Sequence, residues 1–208
     1  LNDFVRIADE SRTSTAVLDP TSGTYTEINE WGPKATETEL GVLLDKLHYL
    51  SRGADVVVLA GSLPRGVSDD FYAEVIRDLT RRGVRVALDS EGEPLRLGVE
   101  AEPWLVSPNQ REAEQLVGQE LEDDDDFLMA LDRIADMGAR NVHITHEMGC
   151  FALVREERQT RRYRALSPQL EPVSTLGAGD VLLARWLAAV LEEKPADEAL
   201  RLAVGAGA

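Results

Sequence analysis

Residues 171–191 read EPVSTLGAGDVLLARWLAAVL, and the change of character along this stretch organises the rest of the chain. A polar, β-branched approach (Val173, Ser174, Thr175) runs into Gly177-Ala178-Gly179-Asp180, and an apolar helical run, Val181 to Leu191, follows at once. Two glycines flanking an alanine let backbone N–H groups point outward with no side chain in the way. The helix adds its own unpaired N–H groups and the positive end of its dipole, which together make an anion site. Asp180 then stands where a phosphate would sit. Repulsion makes that a poor choice for simple phosphate binding. It suits a carboxylate that takes a proton from a hydroxyl while the N–H groups stabilise a phosphoryl group in transit. The other reading of the same loop is an Asp capping a helix, with glycines allowing close packing. On the loop alone both stand.

Composition narrows the field. The chain has 208 residues, 43% apolar and 29% charged, which is enough for one globular domain or one domain with a small appendage. Its 22 basic and 38 acidic residues give a net charge of −16, which argues against nucleic acid or an anionic membrane as partner. An anionic substrate must therefore be attracted by a local site against the overall field. The single cysteine, Cys150, excludes an internal disulfide and fits a reducing, cytoplasmic setting. No apolar run approaches a membrane span. The sequence opens on Leu1 and closes inside an expected helix, so the expectation is a fragment, or the ordered part, of a longer protein.

Working outward, Phe4–Ile7, Thr15–Leu18 and Thr24–Ile28 read as short strands, the last two forming a hairpin across Asp19-Pro20-Thr21-Ser22-Gly23. Thr36 to Arg52 reads as a helix, with Thr36 and Glu39 as capping box and Leu40, Leu43, Leu44, Leu47 and Leu50 as apolar stripe. Asp55 to Ala60 reads as a strand buried on both faces, as in a parallel sheet, and it empties into Gly61-Ser62-Leu63-Pro64-Arg65-Gly66. Loops at the carboxyl ends of such strands are where ligands bind. Helices over 69–82 and 93–100 alternate with strands over 84–88 and 104–106. Ser107-Pro108-Asn109-Gln110-Arg111-Glu112 then places Asn109 and Glu112 on one face of a first helical turn. That pair also reads as a plain capping box. Acidic residues 122–126 start a helix to Met137, complementing its dipole. A strand over 141–145, the turn His146-Glu147-Met148-Gly149-Cys150, a strand pair over 151–154 and 161–166, and a last helix from Ala196 complete the chain. His143 and His146 beside Cys150 lack a suitably spaced fourth ligand, so zinc is not expected. The fold class is α/β: a mostly parallel sheet flanked by helices, with residues 1–33 as a β lid or edge element and 34–208 as the core.

These motifs resemble those of the ribokinase-like (PfkB) sugar kinases, and within them the 1-phosphofructokinase and tagatose-6-phosphate kinase branch. TLGAGD is similar to the family's C-terminal motif, GSLPRG to its GSLP-x-G loop, Asp89-Ser-Glu-Gly-Glu93 to D-x-x-G-E, Ser107–Glu112 to K-P-N-x-x-E, and Glu10-Ser-Arg-Thr13 to E-T-R-T. The resemblance implies Asp180 as catalytic base and Gly177, Ala178 and Gly179 as anion hole. It puts Asn109 and Glu112 near ATP phosphates and Mg2+, with Glu112 acting on the metal through water. It puts Arg12 and Ser62 on the sugar phosphate, and Gly149 and Gly205 by the nucleotide. Departures are Ser107 where many relatives carry lysine, a divergent turn at 146–150, and no match to the family's N-terminal third or its C-terminal end.

The expectation is therefore ATP-dependent phosphorylation of a ketohexose phosphate, fructose 1-phosphate giving fructose 1,6-bisphosphate. Tagatose 6-phosphate or fructose 6-phosphate is the alternative acceptor, and a catalytically inactive ligand-binding relative is the alternative from another class. A homodimer through the β lid is also expected.

Overall fold

The computed structural model describes residues 2–19, 21, 24–156, 159–168 and 177–208. The expected approach over 173–175, the residues Thr175 and Leu176 of the loop motif, and parts of two turns lie outside the described residues. Contacts gather the chain into two compact units: Leu1–Gly53 with Ser62–Ser68, and Ala54–Gly61 with Asp69–Ala208.

In the first unit, β1 (Ser14–Asp19) and β2 (Thr24–Asn29) pair antiparallel, with Ser14 opposite Asn29 and Asp19 opposite Thr24. Val17, Leu18 and Ile28 of this hairpin are exposed. Helix α1 (Glu37–Leu50) starts at the expected capping box: Glu39 N–H donates to Thr36 Oγ1 at 3.3 Å, and Thr36 N–H donates back to Glu39 Oε2 at 2.8 Å. None of its leucine stripe is fully buried. The strand expected over Phe4–Ile7 is a correction: this segment is not a strand. Among the described residues it finds no partner strand, and its backbone is tied to α1 side chains instead. Lys46 Nζ donates to Phe4 O at 2.8 Å, and Ala8 N–H donates to Glu39 Oε1 at 2.9 Å.

The second unit is built on a six-stranded sheet in sequence order: β3 (Val56–Ala60), β4 (Arg85–Asp89), β5 (Leu105–Val106), β6 (Asn141–His146), β7 (Gly149–Arg155) and β8 (Thr160–Leu166). The first four run parallel and the last two antiparallel. Short apolar strands feeding amphipathic helices give right-handed parallel units, and this is where the parallel part comes from. One expectation fails here too. Among the described residues β3 is an edge strand, so Leu59 is buried but Val58 is 43% exposed.

Helices α2 (Phe71–Arg81), α3 (Gly92–Val99), α4 (Gln110–Val117) and α5 (Asp124–Met137) join the strands, and α6 (Ala178–Leu191) and α7 (Ala196–Gly207) close the chain. Alternate strand residues face different helices, as the pleat requires. Cys150 and Ala152 share a buried cluster with Leu182, Leu183, Trp186 and Ala203 of α6 and α7, while Phe151 between them stacks on Phe127 of α5 at 4.6 Å. His143 is wholly buried, its ring edge-on to Trp186 at 4.5 Å, and burial pushes it down to about 3 so that it stays neutral. Among the described residues no helix is long and apolar enough to cross a membrane.

Candidate active site

Helix α6 begins on Gly177, which is left-handed at φ 79°, a conformation that costs a non-glycine residue steric strain. Among the described residues no side chain caps this helix, and its first internal bond is Val181 N–H to Gly177 O at 3.0 Å. The N–H groups of Ala178, Gly179 and Asp180 are therefore the orphan donors of the first turn. Among the described residues nothing lies within 4 Å of where a Cβ on Gly179 would stand, which leaves that backbone open to a ligand. Asp180 itself is exposed. The helix-cap reading would have Asp180 accept a bond from its own first turn, and no such bond is formed among the described residues.

The small residues of α7 hold this turn in place. A Cβ on Gly207 would stand 2.8 Å from Ala178 O and 3.2 Å from the Leu182 side chain, so glycine there lets α7 pack against the start of α6. Gly205, singled out in the sequence, has open space around its Cα. The close approach falls on Gly207, within the same small-residue run 205–208, and not on Gly205.

Asn109 is the N-cap of α4, accepting from Glu112 N–H at 3.0 Å, and Glu112 Oε2 accepts from Asn109 N–H at 2.8 Å. The capping-box reading is thus correct, and the functional reading is compatible with it. Burial pushes the half-buried Glu112 carboxyl up, with Glu91 adding repulsion; the Asn109 bonds act the other way. Asp89, at the end of β4, is pushed up to about 6 by burial and then by Glu112 and Asp180. Tyr72 follows suit: burial, then Asp89, raise its phenol, whose O–H donates to Gly61 O at 3.0 Å. Asp89 was legible only as the first letter of its motif, because its load comes from residues far away in sequence.

Asp89, Glu112 and Asp180 thus share a region of excess negative charge, offset in part by Arg111 at Glu112, at the carboxyl ends of parallel strands, where ligand sites of open α/β sheets lie. That excess fits a divalent cation. Among the described residues no group of three or more His, Cys, Asp or Glu side chains is placed to hold a metal ion directly. Ser107, in the place of the lysine of many relatives, is buried.

Gly149 sits at the start of β7 with φ 138°, and a Cβ there would run into Ala165 O on β8. Glycine is required at this position by the close approach of that strand.

In the first unit, Arg12 Nη2 donates to Ser62 Oγ at 3.2 Å, joining two residues separated by 50 positions in sequence. No ion pair links Arg12 to Glu10 among the described residues. The Ser62–Gly66 loop is fastened by Arg65 Nε to Gly32 O at 2.8 Å and Ala35 N–H to Arg65 O at 3.2 Å. A free guanidinium edge beside a hydroxyl is a suitable receptor for a dianionic phosphate.

The chain matches the sequence profile of the pfkB family carbohydrate kinases over residues 2–208. It is 32% identical to the 1-phosphofructokinase of Bacillus subtilis (strain 168) over 186 residues, covering 89% of this chain and 60% of that protein. It is likewise 32% identical to the 1-phosphofructokinase of Vibrio cholerae over 205 residues, covering 99% of this chain and 63% of the relative. The chain spans about three fifths of the length of these curated relatives. The crystal structure of Escherichia coli phosphofructokinase-2 in complex with substrates and products is similar with a TM-score of 0.84 at 28% identity, covering 93% of this chain and 62% of that one.

Proposed function

Because the chain belongs to the pfkB family of carbohydrate kinases, we propose that the protein it represents transfers a phosphoryl group from ATP to a ketohexose phosphate, fructose 1-phosphate giving fructose 1,6-bisphosphate. The observation that carries this is the start of α6, where orphan N–H groups and an exposed carboxylate occupy the same turn. Asp180 takes the proton from the acceptor hydroxyl as that oxygen attacks. The N–H groups over 177–179 receive the charge that spreads over the phosphoryl oxygens. Arg12 and Ser62 hold the phosphate that the sugar already carries. Glu112, with Asn109 and Asp89, would hold Mg2+, and the metal would supply neutralisation of charge on the nucleotide phosphates. Gly149 and Gly205 are assigned to the nucleotide on resemblance alone.

The similarity to phosphofructokinase-2 favours fructose 6-phosphate as the second acceptor to consider. The exposed apolar residues Val17, Leu18 and Ile28 support the hairpin as a homodimer surface, and the single cysteine supports a cytoplasmic setting.

The test is Asp180→Asn in the full-length protein, followed by ADP release with each acceptor. General-base help is worth roughly 10²–10⁴ in rate, so kcat falls by that order while ATP and sugar phosphate still bind. Normal turnover per folded molecule would sink the mechanism. If the unaltered protein binds both ligands without turnover, it is an inactive relative.

A further inference from the structure

The strands of the second unit have a second end. At the starts of β4, β5 and β6 and the close of β7 lies a cleft of about 590 Å³. Its lining includes Arg85, Arg140, Arg155, Trp104 and Glu102. Arg85 opens β4 and Asp89 closes it, so the cleft and the acidic region are about 13 Å apart along that strand at the usual rise per residue.

The cleft is built from parts that one buried side chain ties together. Asn141, 2% exposed, donates from Nδ2 to Trp104 O at 2.7 Å and accepts at Oδ1 from Arg155 N–H at 2.9 Å. Arg140 N–H donates to Pro103 O at 3.0 Å. The antiparallel pairing of β7 with β6 is what returns Arg155 to the start of β6. Arg85 lies over the Trp104 ring at 5.0 Å, and its Nε donates to Asp55 O at 3.0 Å, which leaves the Nη edge open. Arg85 is thus held by a backbone and a ring contact, and Arg155 Nη2 donates to Ala135 O at 3.5 Å.

What they lack is a counter-charge. The chain carries 38 acidic residues against 22 basic ones, and several of its arginines use that surplus. Arg82 pairs with Asp78 at 2.9 Å, and Arg96 and Arg162 pair with Glu93 and Asp132 at 2.5 Å each. Among the described residues no carboxylate pairs with Arg85, Arg140 or Arg155. Glu102 lines the same cleft and forms no ion pair with them. Like charges around one concavity repel, and three arginines gathered on a single cleft with no carboxylate paired to them present the charge that a bound anion would satisfy. Guanidinium groups donate in parallel pairs to phosphate and carboxylate, and the Trp104 ring gives the cleft an apolar wall. The volume falls in the range of small-molecule sites.

We propose that this cleft binds a small multivalent oxyanion, a metabolite bearing phosphate or several carboxylates, at a site separate from the kinase groups. Pyrophosphate and citrate are the probes, titrated into the full-length protein with isotope-labelled tryptophan while the Trp104 indole signal is followed. The expected result is a saturable shift of that signal, weakened by salt and weakened at least about ten-fold in Arg140→Ala. A response to pyrophosphate alone assigns a phosphate ligand, and to citrate alone a polycarboxylate; a response to both leaves charge and size as the selecting features, and each supports the site. No Trp104 shift with either anion overturns the proposal, as does a shift undiminished in Arg140→Ala. Should that variant fail to fold, Arg155→Met, which keeps the apolar stem, is read in the same way.

Discussion

Helices α1 and α4 begin with the same device in two different surroundings. Thr36 with Glu39 and Asn109 with Glu112 each close a reciprocal capping box, and the return bond to the carboxylate is 2.8 Å in both. The carboxyls nevertheless respond in opposite directions. Glu39 is held below its ordinary range by the Thr36 backbone and side-chain bonds and by the Ala8 N–H. Glu112 is driven above it, because burial and the Glu91 charge outweigh the Asn109 bonds and the Arg111 charge. One box holds an anion that its neighbours welcome; the other holds an anion that its neighbours resist. Bond geometry cannot tell a structural cap from a ligand-facing one here. The unbalanced charge around the cap does.

The largest expected effect lies at Asp89, which carries most of that imbalance. Its folded value of about 6 stands above its ordinary 3.8, so ionised Asp89 works against folding. For a carboxyl raised in this way, the cost is complete above the folded value, shrinks as pH falls, and is gone below the unfolded value. Asp89→Asn should therefore stabilise the metal-free protein by up to ~3 kcal/mol at neutral pH, less what solvent screens. The gain should fade between pH about 6 and 3.8. Thermal melts with chelator across that window check it. An unchanged or lower Tm at neutral pH would mean that the acidic region is already neutralised by groups within the fold, and the contrast with α1 would lose its basis.

Glu112→Gln comes next. The amide keeps the acceptor for Asn109 N–H but carries no charge, so metal-free stability should rise, since the folded protein resists the ionised form. In the kinase reaction the apparent affinity for Mg2+ should fall roughly 10–100-fold, the usual cost of disturbing groups that orient a metal and its waters. A magnesium titration of turnover, set beside a melt, separates the two readings. Superimposable titrations would return Glu112 to the same purely structural standing as Glu39.

Much of this was legible in the sequence because it is local. A capping box is three residues apart, the hairpin turn is written in Asp19 and Pro20, and α6 starts on a run of small residues, so pattern alone reaches them. What failed was what depends on partners. Phe4–Ile7 has strand composition but meets no strand, and Val58 sits in a β-branched run but on an edge. β-propensity describes a fit to neighbours that one sequence does not name. The glycine at 149 was visible, but its cause, the Ala165 carbonyl on the next strand, was not. The raised Asp89 and the Arg85, Arg140 and Arg155 cleft each gather residues from several elements, so no spacing announces them.

The smallest effect belongs to Glu39→Gln, and its value is its sign. Glu39 sits below its ordinary 4.5, so its ionised form favours folding; that contribution is present above the unfolded value and is lost as pH falls through the folded one. Replacing it with glutamine should lower Tm slightly at neutral pH, because the amide oxygen can still accept from Thr36 N–H while the charge assistance is gone. The loss should vanish in acid, where wild-type Glu39 is itself protonated. Turnover per folded molecule and the magnesium response should be those of the wild type. The same chemical change at matched positions of two capping boxes thus shifts stability down at α1 and up at α4, and touches the metal response only at α4. If both substitutions shift Tm in the same direction, the two helix starts share one electrostatic environment, and the reading of α4 as ligand-facing has to rest on resemblance alone.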